Sequence, residues 1–254
     1  MIRIENLHKA FDGHAVLKGI DLEIRKGEVV ALIGGSGSGK SVLIKHVAGL
    51  LKPDRGAVSV DGKNMAELKG KERIALRARL GFLFQGGALF DSMTVYENVA
   101  FPLKEKFRLS EKRIEARVLE ELENVGLAGA ENKFPSQISG GMAKRAALAR
   151  ALVTDPEIML FDEPTTGLDP VTGLNIIRLI DACRKRLHFT GIIVTHAVPR
   201  VFAIVDKVVM LHEGRIKLQG RPRDFMESAD PLVQAFVGHS LEGVEDGPTG
   251  SEGS

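Results

Sequence analysis

The sequence predicts an α/β fold with an antiparallel sheet before its core. Three short runs, residues 29–33, 157–161 and 191–195, are almost wholly apolar, as is typical of strands buried on both faces of a sheet. The first run leads through a glycine-rich loop into a helical pattern over residues 42–50. The preceding residues alternate apolar and polar side chains, which indicates half-buried strands. We therefore expect a core of strand, loop and helix units behind an antiparallel flap.

Composition limits the possible classes of function. The chain has 254 residues, enough for one large or two small domains. Its charged residues, 27% of the total, nearly cancel to a net +2, which argues against nucleic acid as a partner. Cys183 is the single cysteine, so no internal disulfide forms and a reducing compartment is expected. The longest apolar stretches carry charges, and we expect no membrane crossing.

The glycine-rich loop has the chemistry of a phosphate site. Its spacing, GxxxxGKS, lets backbone N–H groups face inward while the following helix points its N-terminus at the anion. A lysine can reach the β- and γ-phosphates, and the serine hydroxyl suits Mg²⁺. The alternative is a flexible turn. The residues are Gly34, Gly35, Ser36, Gly37, Ser38, Gly39, Lys40 and Ser41.

Two further residues flank this loop in sequence. Phe11 offers a flat face on which an adenine ring can stack, although a core position is the simpler interpretation. A short strand over residues 80–84 ends in Gln85, and the two glycines after it let the backbone bend freely. Gln85 can therefore reach a nearby Mg²⁺ or water, or be an ordinary amide at a strand end.

The middle of the chain predicts a helical insert. Helical patterns cover residues 95–103, stopped near Pro102, and residues 110–125. Ser139, Gly140 and Gly141 then open an alanine-rich helix over residues 142–152. This helix start resembles a second anion cradle, but a simple capped helix explains it equally well.

Two later strands deliver ionisable groups to the edge where α/β folds bind ligands. Asp162 and Glu163 end one strand, and together they suggest a metal ligand and a base that polarises water. His196 ends the next, where a structural role is the alternative. A hairpin over residues 207–211 and 215–219 and short helices near 223–226 and 231–237 follow. Residues 247–254 are expected to be disordered, because they have no apolar side chain to bury.

These motifs occur in the order found in ATP-binding cassette (ABC) ATPases, and the chain resembles that family over almost its whole length. The resemblance implies a P-loop NTPase (RecA-like) core that binds ATP and Mg²⁺. It makes Lys40 and Ser41 the Walker A residues and Phe11 the adenine-stacking residue. It further implies that Gln85 is the Q-loop glutamine, Asp162 the Walker B aspartate and Glu163 the catalytic glutamate. His196 would be the switch histidine. Ser139, Gly140 and Gly141 would form the signature, and Asp169, after Gly167 and Leu168, would bind the cofactor. Met142 departs from the family's LSGGQ, and the donor that replaces glutamine is open.

The segments over residues 84–90, 98–103 and 139–145 are similar to the ATPase subunit of Mla/Mce-type lipid transporters, in which Met142 is usual. That resemblance implies a peripheral protein at the cytoplasmic face of the bacterial inner membrane. Its partners would be a permease, a Mce-domain protein and sometimes a small regulatory subunit. Residues 1–237 would form one ATPase domain, with a helical subdomain over about 91–155, and residues 238–254 a C-terminal extension.

The chain holds one set of motifs, whereas in this family ATP lies between the Walker A loop of one subunit and the signature of another. We therefore expect a head-to-tail homodimer. One alternative is a soluble cassette protein acting on ribosomes or DNA, although tandem cassettes, long coiled coils and a basic stripe are missing. The other is the ATPase of a different importer, for amino acids or other small solutes.

Overall fold

The computed structural model describes residues 1–242, with side chains to Gly238. Its strands are β1 (Ile2–Phe11), β2 (His14–Ile24), β3 (Val29–Ile33), β4 (Arg55–Val60), β5 (Lys63–Asn64), β6 (Leu80–Leu83), β7 (Ile158–Asp162), β8 (Thr190–Val194), β9 (Lys207–His212) and β10 (Arg215–Gly220). Its helices are α1 (Lys40–Val47), α2 (Gly70–Ala78), α3 (Val95–Lys106), α4 (Glu111–Asn124), α5 (Gly140–Leu152), α6 (Pro170–Leu187), α7 (Pro222–Met226) and α8 (Pro231–Glu242). No helix in residues 1–242 is both long and apolar enough to span a bilayer.

Two sheets form the β layers of the described chain. The antiparallel sheet has the order β2-β1-β4-β5, and the second sheet has the order β10-β9-β3-β8-β7-β6. Every residue of β3, β7 and β8 is buried, because apolar clusters cover both faces of the second sheet. The predicted α/β class and the antiparallel flap are thus confirmed.

Register in the second sheet sets the position of the site. In the parallel pairs, Leu32 lies beside Val194, and Val194 lies beside Asp162. Leu83 is likewise paired with Phe161 one strand further along. Since β3, β6, β7 and β8 run in the same direction, the residues that follow them meet at one carboxyl edge.

Helices α3, α4 and α5 pack around an apolar cluster of their own, which includes Val99, Val118, Leu122 and Ala146. Their arrangement is consistent with the expected helical insert. A separate cluster allows these helices to hold their own shape beside the sheet. The boundaries near residues 91 and 155 stay a prediction.

Asn98 in α3 fastens the turn that enters this helical unit. It is fully buried, and its Oδ1 accepts from the Phe90 N–H at 2.8 Å. Its Nδ2 donates to the carbonyls of Phe90, Met93 and Thr94 at 3.0–3.1 Å. One side chain therefore joins four backbone groups of the turn. The carbonyls of Phe90 and Thr94 also accept from backbone N–H groups, so Asn98 is the partner that matters for the Phe90 N–H and the Met93 carbonyl.

We expect Asn98→Ala to lower the free energy of unfolding by about 2–4 kcal/mol, because the Phe90 N–H and the Met93 carbonyl lose their partner together. Urea unfolding of the full chain measures this. Asn124→Ala, an exposed change at the end of α4, is the control and should cost under about 0.5 kcal/mol. Equal effects of the two changes would contradict the argument.

The predicted bounds of helices α1, α3, α5 and α8 were wrong. Helix α1 spans Lys40–Val47 and not residues 42–50. Helix α3 continues past Pro102 to Lys106, because burying Leu103 in the helical cluster outweighs one lost backbone hydrogen bond. Helix α5 begins at Gly140, since Ser139 is its cap. Helix α8 runs beyond residue 237 to Glu242. The expectation of disorder over residues 247–254 lies outside the described residues.

Candidate functional site

A cavity of about 370 Å³ opens at the carboxyl edge of the second sheet. Polar and ionisable groups from four parts of the chain meet there, as the strand register requires. Its lining consists of Val16, Ser36, Gly37, Ser38, Gly39, Lys40, Ser41, Val42, Gln85, Glu163 and His196. The structure thus brings together most of the residues singled out in the sequence.

The glycine loop needs its glycines at both ends. Gly34 has φ 143° and Gly39 has φ 102°, backbone conformations that L side chains rarely adopt. A Cβ on Gly34 would lie 2.2 Å from the Leu211 carbonyl oxygen, and one on Gly39 would lie 2.6 Å from the Leu17 Cδ2. The loop therefore passes tightly between the two sheets and delivers the start of α1 to the cavity. Gly39 offers no side-chain cap to the first N–H groups of α1, which suits an anion.

Lys40 places a positive charge in the cavity wall. Its Nζ donates to the carbonyls of Gly34 at 2.8 Å and Gly35 at 2.9 Å. Burial lowers the pKa of Lys40, while the carboxylates of Glu163 and Asp162 act to raise it. The nearby Ser38 Oγ is buried and has no hydrogen-bond partner among the described residues. A buried hydroxyl without a partner costs free energy, and a phosphate oxygen would satisfy it.

Ser41, Asp162 and Gln85 supply the oxygen donors that a magnesium ion prefers. The Ser41 Oγ donates to the Asp162 Oδ1 at 2.8 Å, and Gln85 lines the same cavity. Burial raises the pKa of Asp162, with a further increase from Glu163, while the Ser41 hydrogen bond opposes the shift. The described residues contain no cluster of three or more His, Cys, Asp or Glu that could hold a metal. The donor set therefore fits a cation held jointly with phosphates.

Glu163 is held in a conformation that its backbone would not otherwise favour. Its φ is 51°, in the left-handed region. Its Oε1 lies 2.9 Å from the His196 Nε2, and its Oε2 accepts from the Thr166 hydroxyl at 3.2 Å. Burial acts to raise the pKa of Glu163, but His196 and Lys40 lower it overall. An ionised, oriented carboxylate of this kind can polarise a water molecule.

The remaining predicted site residues lie outside this cavity. Ser139 is exposed and caps α5, with its Oγ accepting from the Met142 N–H at 3.3 Å. Gly140 follows it in the first turn, also exposed. Asp169 caps α6 in the same way, accepting from the Val171 N–H at 3.1 Å and the Thr172 N–H at 3.0 Å.

These two helix starts are neighbours. A Cβ on Gly141 would lie 2.8 Å from the Thr172 Cγ2, so only a glycine fits between the first turns of α5 and α6. The Met142 side chain packs against the helical cluster instead of facing outward. The exposed surface at the start of α5 therefore offers backbone N–H groups and the Ser139 hydroxyl.

Phe11 is not a core residue, so that alternative was wrong. Its side chain is 41% exposed at the end of β1, and the Lys9 ammonium lies 5.3 Å from the ring centroid. It does not line the cavity described above. The role of Phe11 in adenine stacking stays a prediction.

Sequence reasoning missed Lys144 and Thr166. The Lys144 side chain is almost fully buried and donates to the Gln85 carbonyl. A lysine within the alanine-rich pattern of α5 was the available signal, since such a residue is normally exposed. Thr166 carried no comparable signal, because hydroxyls are common in loops.

The comparisons with known proteins agree with this geometry. A family model described as ABC transporter matches residues 17–166. The intermembrane phospholipid transport system ATP-binding protein MlaF of Haemophilus influenzae is 39% identical over 98% of this chain and 92% of its own length. The probable ribonucleotide transport ATP-binding protein mkl of Mycobacterium leprae is 43% identical over 98% of this chain and 71% of its own length.

A solved dimeric ATP-binding cassette, in a post-hydrolysis state with ADP and Pi, matches with a TM-score of 0.81 and 33% identity. The match covers 88% of this chain and 99% of that one. The family model spans more than half of the sequence, and the relatives cover almost all of it. The chain therefore belongs to the ABC transporter family.

Proposed function

We propose that this chain is the ATP-hydrolysing subunit of a transporter that moves phospholipid across a bacterial cell envelope. The observation that carries the proposal is that Lys40, Ser41 and Glu163 line one cavity, and that the Ser41 hydroxyl donates there to Asp162. The lipid cargo is supported by the MlaF relative, whose name states phospholipid transport. The cavity would bind nucleotide and not the cargo, so the partner subunits determine which cargo is transported.

The residues at the cavity have different roles in phosphoryl transfer. Loop N–H groups, the Ser38 hydroxyl and Lys40 hold the phosphates and stabilise charge that develops on them. Ser41, Asp162 and Gln85 would hold Mg²⁺, which neutralises phosphate charge when bound. Glu163 orients the attacking water, and His196 and Thr166 hold its two carboxylate oxygens in place. Gln85, which follows β6 and lines the cavity, would reach the same water or the cation.

A second copy of the chain completes the site. Ser139, Gly140, Gly141 and Asp169 lie outside the cavity that contains Lys40, yet all are exposed or nearly so. Facing copies would place these donors on the phosphates of the opposite subunit. The dimeric solved cassette, whose match covers 88% of this chain, supports the arrangement. ATP then closes the dimer, and hydrolysis releases it.

An apolar groove between the second sheet and the helical unit offers a docking surface for the permease. Its volume is about 450 Å³, and Phe84, Ala88, Phe90, Phe101 and Pro102 are among its lining residues. Leu89, in the same segment, packs against two internal clusters and does not line the groove. The groove adjoins Gln85, so a helix seated there would sense nucleotide.

We expect Phe90→Glu to reduce recovery of the permease by at least about tenfold, since a carboxylate would be desolvated in an apolar groove. Phe90 is 41% exposed. Leu119→Glu on α4, at a residue 42% exposed, is the matched control. Quantitative mass spectrometry of complexes purified from native membranes measures the result. Equal recovery with both variants would remove the groove from this role.

The same purification tests the cargo. The tagged chain, peripheral at the cytoplasmic face of the inner membrane, should bring down a permease, a Mce-domain protein and phospholipid, and sometimes a small regulatory subunit. A ribonucleotide-specific partner would favour the activity in the name of the mycobacterial relative. A solute-binding protein would favour an importer of amino acids or other small solutes, and ribosomes would favour a soluble cassette protein.

A further inference from the structure

Two cationic side chains of α5 donate hydrogen bonds to backbone carbonyls of the segment that follows β6. Lys144 donates to the carbonyl of Gln85. Arg150, six residues further along the helix, donates to the carbonyls of Gly87 at 2.6 Å and Ala88 at 2.7 Å. Both are long side chains from one helix, and both end on main-chain oxygens of residues 85–88.

The backbone of this segment needs such support. Gly87 has φ 74°, and Ala88, which has a side chain, has φ 51°. The left-handed conformation is unfavourable for alanine and persists only where the surroundings impose it. A Cβ on Gly87 would lie 3.4 Å from the Ala147 Cβ, so α5 packs directly against this turn.

Lys144 is unusual because its charge is buried. The residue is 8% exposed, and burial lowers the pKa of its ammonium while Glu163 acts to raise it. Burying a lysine ammonium costs free energy, and an apolar side chain of similar size would fill the same space without that cost. The Lys144 ammonium donates to the Gln85 carbonyl and interacts with the negative charge of Glu163. It therefore lies where it can influence two residues that line the cavity.

We propose that Lys144 is a positioning residue for ATP hydrolysis, which holds the backbone of Gln85 so that the glutamine side chain stays in the nucleotide cavity. Arg150 supports the same segment two residues further on. The proposal rests on the role of Gln85 given under the proposed function. Because α5 starts at the exposed signature glycines, Lys144 also joins the Gln85 segment of one nucleotide site to the donors that serve the other.

The mechanism requires a specific kinetic result. Loss of the Lys144 contact lets the Gln85 segment shift, and a displacement of about 1 Å at a positioning group can cost about 100-fold in rate. Nucleotide binding depends on the glycine loop and Lys40, which Lys144 does not touch in the hydrogen bonds described above. The rate should therefore fall while the KM for ATP stays nearly unchanged.

The test uses the full chain in the complex purified from its native membrane. We expect Lys144→Met to lower kcat by about 10- to 100-fold and to change the KM for ATP by less than about threefold. Lys144→Gln, which keeps a donor without the charge, should recover part of the rate and serves if the methionine variant folds poorly. Lys112→Met, at an exposed lysine of α4, is the control for losing a lysine.

A double-mutant cycle with Gln85→Ala separates the possible failures. If Lys144 acts through Gln85, the double variant should be no slower than Gln85→Ala alone. Independent, multiplying effects would overturn the inference, as would a normal kcat for Lys144→Met beside a slow Gln85→Ala. A normal rate for Gln85→Ala would overturn both the inference and the proposed role of the glutamine. A parallel fall in thermal midpoint with unchanged kcat would make Lys144 purely structural.

Discussion

Glu163→Gln is expected to bind ATP normally and to hydrolyse it about 10²- to 10⁴-fold more slowly. The amide keeps the size of the carboxylate but cannot accept a proton from water. His196 and Thr166 hold the carboxylate in its place, so the change removes chemistry without removing the cavity. The trapped ATP should also stabilise the dimer.

Single-turnover ATPase assays and the mass of the complex with Mg-ATP measure both effects. Glu157→Gln is the matched control, since it precedes the same strand and is exposed, where it pairs with Arg79 at the surface. It should leave turnover within about twofold of the unmodified chain. Near-normal turnover of Glu163→Gln, after correction for contaminating ATPases, would remove Glu163 from the role of base.

Ser139→Arg is expected to reduce turnover by about 10³-fold or more, because donors that arrive from a second subunit can supply that much in phosphoryl transfer. Ser139 lies outside the cavity of its own chain, so ATP affinity should be unchanged. Lys40→Ala, by contrast, should lose affinity. Ser136→Arg, exposed in the turn before α5, is the control.

Mixed dimers give the sharper test. A dimer of one Lys40→Ala chain and one Ser139→Arg chain contains one intact site only if the signature serves the opposite nucleotide. If each chain served its own nucleotide, both sites would be damaged. Activity in the mixed dimer would therefore support the trans arrangement, and a Ser139→Arg homodimer working at the normal rate would contradict it.

The chemistry of the site could be predicted because it is local. The glycine-rich loop is one continuous segment, which includes Gly34, Gly39, Lys40 and Ser41. The spacing of these residues predicts the strand, loop and helix around them. Asp162, Glu163 and His196 each follow a buried strand, and parallel strands bring their ends to one edge. The sequence alone therefore determined which edge of the sheet carries the site.

The predictions that failed depend on contacts between distant segments. Pro102 is a local signal to end a helix, but burial of Leu103 among α3, α4 and α5 outweighs it. Phe11 has a large apolar side chain of the kind that usually lies in a core, yet this side chain is exposed at the end of a hairpin.

The nucleotide-binding loop, the two carboxylates and the family were therefore determined by the sequence itself, since each depends on neighbouring residues or strand direction. Only the tertiary structure decided that Ser139 and Asp169 lie outside the cavity of their own chain. It also decided that Lys144 reaches the Gln85 carbonyl. Both facts arise from how α5 packs against α3 and α4 on one side and against the sheet and α6 on the other. The burial of large apolar surfaces from separate segments sets that packing.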